Sequence, residues 1–242
     1  MTNLIEIFSS IQGEGKYVGC RQIFVRMADC NLNCAYCDTN FKHADFCKIE
    51  TTAGSMIIEQ IKNPFTPAEV AAIINQFSNE VPTHSVSFTG GEPLLNWKFI
   101  RGVAKKIQNT GLKIFLETNG TLPEKLAQVI DFIDIISMDI KLPSVAGNYF
   151  GKHKEFLKIA MQKDLYTKIV ISAETTAEEF NTAIDLIAEV SPEILLILQP
   201  VTPVKNVKEI SARTILELQA AAARKLKTVR VIPQTHRLIN IF

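Results

Sequence analysis

Short, nearly continuous apolar runs recur along the chain and alternate with longer stretches of helical period. The runs Gln22–Met27, Ser85–Phe88, Lys113–Glu117, Ile135–Asp139, Lys168–Ile171, Ile194–Leu198 and Val229–Ile232 predict strands. Their lack of clean alternation is what strands covered on both faces show, so parallel pairing is expected. Between them, Thr66-Pro67-Ala68-Glu69 and Thr176-Ala177-Glu178-Glu179 each place Glu three residues after Thr, the spacing that caps a helix start. Gly111 follows the helical run Trp97–Thr110, where a left-handed terminating residue is wanted.

Strand then helix, repeated six or seven times, predicts an α/β fold: either a doubly wound open sheet or a partial (βα) barrel. Periodicity does not choose between them, but both gather ligands at the carboxyl ends of the strands. The segment Phe41–Pro64 has no clear period and reads as an insertion. A single domain over 1–242 is expected, since barrels commonly run to about 200–250 residues.

Composition narrows the partners. Lys+Arg number 26 and Asp+Glu 25, a formal charge of +1, so no whole-molecule field recruits nucleic acid or an anionic membrane. No apolar run approaches the roughly 18 residues of a membrane span, and the N-terminus lacks a signal-peptide pattern, so a cytoplasmic protein with a small-molecule partner is expected. Five cysteines, three within eight residues, suit a metal or cluster better than a disulfide framework. Cys20 and Cys47 read as buried free thiols.

Those three are Cys30, Cys34 and Cys37, in the spacing CxxxCxxC after the run QIFVRM. Three thiolates so placed hold three corners of a cubane and leave one iron open, whereas electron-transfer clusters usually take four cysteines. Zinc would want a fourth ligand; Cys20, Cys47 and His43 lie near enough in sequence to supply it, and counting leaves that alternative standing. Polar residues close successive apolar runs: Thr89-Gly90-Gly91-Glu92-Pro93, Glu117-Thr118-Asn119-Gly120, Ser137-Met138-Asp139-Ile140-Lys141 and Gln199-Pro200. Such closures converge on one rim of a parallel sheet or barrel. The glycines of the first would let backbone approach a ligand.

The loop, with Tyr36 before its last cysteine, resembles the signature of radical S-adenosylmethionine (SAM) enzymes, and GGEP resembles that family's motif for the methionine amino group. The resemblance implies a partial (βα)6 TIM-type barrel, a 4Fe-4S cluster on Cys30, Cys34 and Cys37, and SAM held by Tyr36, Cys37, Asp38, Gly90, Gly91, Glu92, Glu117, Asn119, Ser137, Asp139, Lys141 and Gln199. Reductive cleavage of SAM to a 5'-deoxyadenosyl radical is the implied chemistry. A rival, an activase that draws hydrogen from a polypeptide, would share the cysteine spacing. A non-catalytic zinc- or cluster-binding module is the reading from another class.

The ends of the chain discriminate. Glu6-Ile7-Phe8 with Gln12-Gly13-Glu14-Gly15, Phe24-Val25-Arg26, and Pro233-Gln234-Thr235-His236 are similar to the opening, first strand and tail of 7-carboxy-7-deazaguanine synthases; the segment 41–64 is unmatched. That resemblance implies ring contraction of 6-carboxy-5,6,7,8-tetrahydropterin to 7-carboxy-7-deazaguanine with loss of ammonia, on the route to queuosine. It further implies Mg2+ on Thr39, a pterin against Ile11, Gln12, Gly13, Glu14, Arg26, Thr89, Gln234, His236 and the Phe242 carboxylate, and a tail that closes the site. A flavodoxin or ferredoxin reductant and a homodimer are implied too. Read as bare residues, Arg26 could equally pair with a nearby carboxylate, Glu14 could face solvent in a turn, and Thr39 could cap its loop. His84 and His153 read as surface residues.

Overall fold

The computed structural model describes residues 1–37, 44–203, 207–239 and 241. Ten strands form one sheet: β1 (Leu4–Ile11), β2 (Arg21–Met27), β3 (Phe46–Glu50), β4 (Ile58–Lys62), β5 (Ser85–Gly90), β6 (Lys113–Thr118), β7 (Ile135–Asp139), β8 (Asp164–Ile171), β9 (Leu195–Pro200) and β10 (Val229–Val231). Helices α1 (Pro67–Glu80), α2 (Trp97–Ile107), α3 (Pro123–Leu126), α4 (Pro143–Ala146), α5 (Phe150–Ala160), α6 (Ala177–Val190) and α7 (Ala212–Ala223) fill the intervals. Both capping boxes form, at α1 on Thr66 and Glu69 and at α6 on Thr176 and Glu179. Gly111 takes a left-handed conformation at φ 71°.

The spatial order is β10-β9-β8-β7-β6-β5-β2-β1-β3-β4, with β2 and β5 through β10 successively parallel. A doubly wound sheet reverses its order at a switch point; here the parallel strands advance in one direction throughout. Six βα units laid side by side without reversal are a partial TIM-type barrel, which decides between the two architectures left by periodicity.

Two stretches depart from the sequence-based expectation. Leu4–Ile11, which no apolar run singled out, pairs antiparallel with β2. Phe41–Pro64, expected to be irregular, contains the antiparallel β3–β4 hairpin, whose first strand pairs parallel with β1. All five residues of β4 are exposed, so burial imposes no period on them. Buried Glu50 fastens the hairpin: its carboxylate accepts the Ser9, Gly54 and Met56 N–H groups at 2.9, 2.9 and 2.7 Å. Among the described residues no helix is long and apolar enough to cross a membrane.

Period-2 geometry explains how one sheet carries both a core and a site. On the face toward the helices, Phe88, Leu116, Met138, Ile169 and Leu198 join the main core. On the inner face, Phe115, Ile135, Tyr166 and Ile197 form a separate apolar plug near the strands' amino ends. Two residues further along the same face stand Glu117, Ser137, Lys168 and Gln199. The plug is the floor, and the polar side chains above it line a cavity.

Candidate active site

The cavity has a volume of about 500 Å3 and opens at the carboxyl ends of the parallel strands. Cys30, Cys34 and Cys37 line it together, beside Tyr36. Burial raises the Cys30 and Cys34 thiols above their ordinary range. Thiolates here therefore call for a positive centre such as cluster iron. The Leu32 N–H already points at Cys30 Sγ, 3.4 Å away, as it would at a ligating sulfur.

The glycines of the GGEP segment serve the cysteine loop directly. A Cβ on Gly91 would lie 1.8 Å from the Asp29 carbonyl oxygen, and one on Gly90, at φ 126°, 2.3 Å from that of Met27. Gly91 and Glu92 donate their N–H groups to Met27 and Asp29 at 3.2 and 2.8 Å. Glycine thus lets β5's end lie against the loop backbone; the close approach is chain on chain, not only chain on ligand. Glu92 does not line the cavity. Its fully buried carboxylate sits behind the rim and accepts from Thr118 Oγ1, Asn119 N and Leu94 N at 2.8, 2.8 and 3.0 Å. Burial outweighs those bonds and lifts its carboxyl to about 7.

Gly90, Gly91, Glu117, Asn119, Ser137, Asp139, Lys141 and Gln199 all reach the cavity wall. Asn119 Nδ2 donates to Asn31 Oδ1 at 3.0 Å, tying β6's end to the cysteine loop. Lys141 Nζ lies 2.8 Å from Asp139 Oδ2 and 5.1 Å from the centroid of the Tyr36 ring. Burial, the largest single influence, would lower this ammonium's pKa, but Asp139, Tyr36 and Cys34 together outweigh it and keep Lys141 charged. Asp139 Oδ1 and Gln199 Oε1 are buried without a hydrogen-bond partner among the described residues, two acceptors left for a bound molecule.

Across the cavity the two ends of the chain meet. Thr235 donates from N and Oγ1 to the Gly13 carbonyl at 2.9 and 3.0 Å, and Gln234 Nε2 donates to Glu14 Oε1 at 2.7 Å. His236 packs so closely on Gly13 that a Cβ there would come within 2.2 Å of its ring. Glu14 is not a solvent-facing turn residue. It accepts from Lys168 Nζ, and although burial alone would raise the carboxyl, Lys168 and Gln234 bring it down to about 2. Gln12 Nε2 donates to Glu117 Oε1 at 2.7 Å, and Thr89 Oγ1 to Glu117 Oε2 at 2.9 Å. Arg26 lines the cavity and also has the carboxylate partner anticipated for it, Glu6 at 2.6 Å. Ile11 completes this side.

Asp38, Thr39, His43 and Phe242 lie outside the described residues. The structure corrects the reading of His153, which is buried within α5, its Nε2 3.1 Å from the Asn119 carbonyl; His84 is half-buried against Tyr17. Lys168 and Glu6, both on the cavity wall, were not anticipated.

The profile of the Radical SAM superfamily matches residues 24–187. A 7-carboxy-7-deazaguanine synthase of Geobacter sulfurreducens is 42% identical over 98% of this chain and 96% of its own length. The chain belongs to the 7-carboxy-7-deazaguanine synthase family of radical SAM enzymes. A synthase of that name from Methanocaldococcus jannaschii is 38% identical, with 98% of each chain covered. The crystal structure of QueE from Escherichia coli superposes with a TM-score of 0.61 at 21% identity, over 98% of this chain and 95% of that one, a likeness of fold. Radical SAM membership carries with it a 4Fe-4S cluster and SAM. The raised, co-lining thiols and the Leu32 N–H fit such a cluster, and the unpartnered acceptors on β7 and β9 fit a donor-rich cosubstrate such as SAM.

Proposed function

We propose that this chain converts 6-carboxy-5,6,7,8-tetrahydropterin to 7-carboxy-7-deazaguanine with release of ammonia. One observation carries the reading: the cysteine loop and the paired Gln12–Glu14 and Gln234–His236 segments face each other across a single cavity. Cys30, Cys34 and Cys37 would hold the cluster, Thr39 would give an oxygen to Mg2+, and a flavodoxin or ferredoxin would supply the electron; a homodimer is the expected assembly. When bound, the cluster and SAM supply a carbon-centred oxidant that takes hydrogen from the substrate.

The chain's own groups do the rest. Glu14 beside Gln234 is a carboxylate–amide pair that suits the alternating donors and acceptors of a pterin's amide edge. Arg26 presents a planar fork to the substrate carboxylate while Glu6 fixes its orientation. Thr89 and Gln12, both bound to Glu117, set the wall between the two ends of the cavity. The apolar plug of Phe115, Ile135, Tyr166 and Ile197 closes the floor to water.

Anaerobic turnover of the cluster-loaded protein with SAM, a reductant, Mg2+ and the carboxypterin is expected to yield the deazaguanine acid and ammonia, with a rate that falls on chelation of Mg2+. A sample with full iron content that forms neither product refutes the assignment. Activity untouched by chelation refutes the magnesium step alone.

A further inference from the structure

Lys168 stands midway along β8 on the cavity wall, 8% exposed. Its ammonium is bonded to Glu14 on the pterin side and lies 3.7 Å from Asp139 Oδ2 on the side proposed for SAM. Glu14 continues to Gln234 in the tail at 2.7 Å; Asp139 continues to Lys141 at 2.8 Å and from there to the Tyr36 ring of the cysteine loop. A single cation is shared by two carboxylates that serve different ligands.

We infer that Lys168 is a positioning residue that couples pterin binding to SAM binding, by moving its ammonium from Glu14 toward Asp139 when the pterin engages Glu14. This rests on the function proposed above. Both oxygens of Glu14 are engaged, Oε2 by Lys168 and Oε1 by Gln234, so a ligand donor arriving there competes with Lys168 for the carboxylate's charge and weakens its hold on the ammonium. The longer Asp139 contact leaves Lys168 room to close on that carboxylate. Asp139 Oδ2, gripped then by two ammonium groups, holds Oδ1 fixed, and Oδ1 is a buried acceptor without a partner among the described residues. Pre-orienting an acceptor before its ligand arrives raises affinity. The lysine stays protonated throughout: burial would lower its pKa, yet Glu14 and Asp139 together raise it well above the ordinary value.

The test is calorimetric titration of the anaerobic, cluster-loaded protein without reductant, measuring SAM affinity with and without saturating carboxypterin, and the reverse. The wild type is expected to bind SAM at least about fivefold more tightly when the pterin is present, and by reciprocity the pterin more tightly with SAM. In Lys168→Met the enhancement is expected to fall below about twofold, while Lys168→Arg restores most of it. Iron content and the thermal midpoint report whether each variant is folded. Should Lys168→Met fail to fold, Glu14→Gln removes the other end of the bridge and is expected to abolish the enhancement as well. No enhancement in the wild type, or an enhancement that survives these substitutions, overturns the proposal. A wild type that binds no carboxypterin overturns instead the function on which it rests.

Discussion

At Gly91 a single hydrogen in place of a methyl group decides whether the cysteine loop can be built. The opposing atom at 1.8 Å from a Cβ is a backbone oxygen, which cannot swing aside as a side chain would. Gly91→Ala is therefore expected to cost about 3 kcal/mol, the upper end for overpacking, and to lower iron incorporation. Gly151→Ala, in α5 with nothing near its added Cβ, should be neutral or gain about 0.5 kcal/mol. Thermal midpoints and iron stoichiometry of the pair check this. His153 gives a pH signature. Burial lowers its pKa from 6.5 to about 4, so on acidification the unfolded chain takes up the proton first and stability falls from pH 6.5 downward. By pH 5 the loss from this residue is about 2 kcal/mol, and the decline should be absent in His153→Gln, read from urea unfolding at several pH values. The histidine could not be placed from sequence because its partner is a backbone carbonyl 34 residues away. Lys168 escaped for another reason. With the strand begun at Lys168 the lysine sits at an entry, where charge is unremarkable; the strand begins at Asp164, so the same residue stands midway on the inner face.

Among the elements, the parallel strands were legible, down to β10 at one margin of the sheet, whereas β1, β3 and β4 toward the other margin were not. β6 to β9 carry apolar side chains toward the helices and, over their first half, toward the plug, so their runs stand out whatever the neighbouring topology; β5 is buried on both faces too but turns Ser85 and Ser87 inward. β1 interleaves Ser9 and Ser10 with apolar residues, and β3 and β4 carry Lys48, Glu59 and Lys62, charges suited to an exposed margin. Helix starts were legible because a capping box is local. The two boxes nonetheless differ in what hangs on them. Among the described residues Glu69 serves only its own exposed helix start, whereas Glu179 also accepts from Ser144 N and Oγ at 2.9 Å each, pinning α4 to α6. Thr66→Ala is expected to cost about 1 kcal/mol. Glu179→Ala removes cap and tie together and should cost about 2–3 kcal/mol. Equal losses for the two, measured by denaturant unfolding, would mean that the α4 contact contributes nothing to stability.

Seen as a whole molecule, the barrel is partial, with β10 unpaired on its outer side among the described residues, and segments from the two ends of the chain join to complete the cavity wall. Residues 12–14 follow β1, which runs antiparallel beside β2 so that its last residue, Ile11, pairs with Arg21 at the amino end of β2; residues 234–236 follow β10 at the other end of the parallel array, and the two segments meet at the cavity through Gly13 and Glu14. This joining holds no strand in register, since β10 ends at Val231 and Ile232 packs on the plug. Deleting 233–242 should therefore leave the fold, the iron content and the SAM site intact while removing Gln234 from Glu14 and His236 from the pterin side. Loss of one or two hydrogen bonds involving a charged group lowers affinity by about 10- to 100-fold, so pterin binding is expected to fall by that factor with SAM affinity nearly unchanged in the absence of pterin. Titration of each ligand separately distinguishes the outcomes. Parallel weakening of both would place the tail's contribution in holding the whole rim, and undiminished pterin affinity would remove Gln234 and His236 from the binding site.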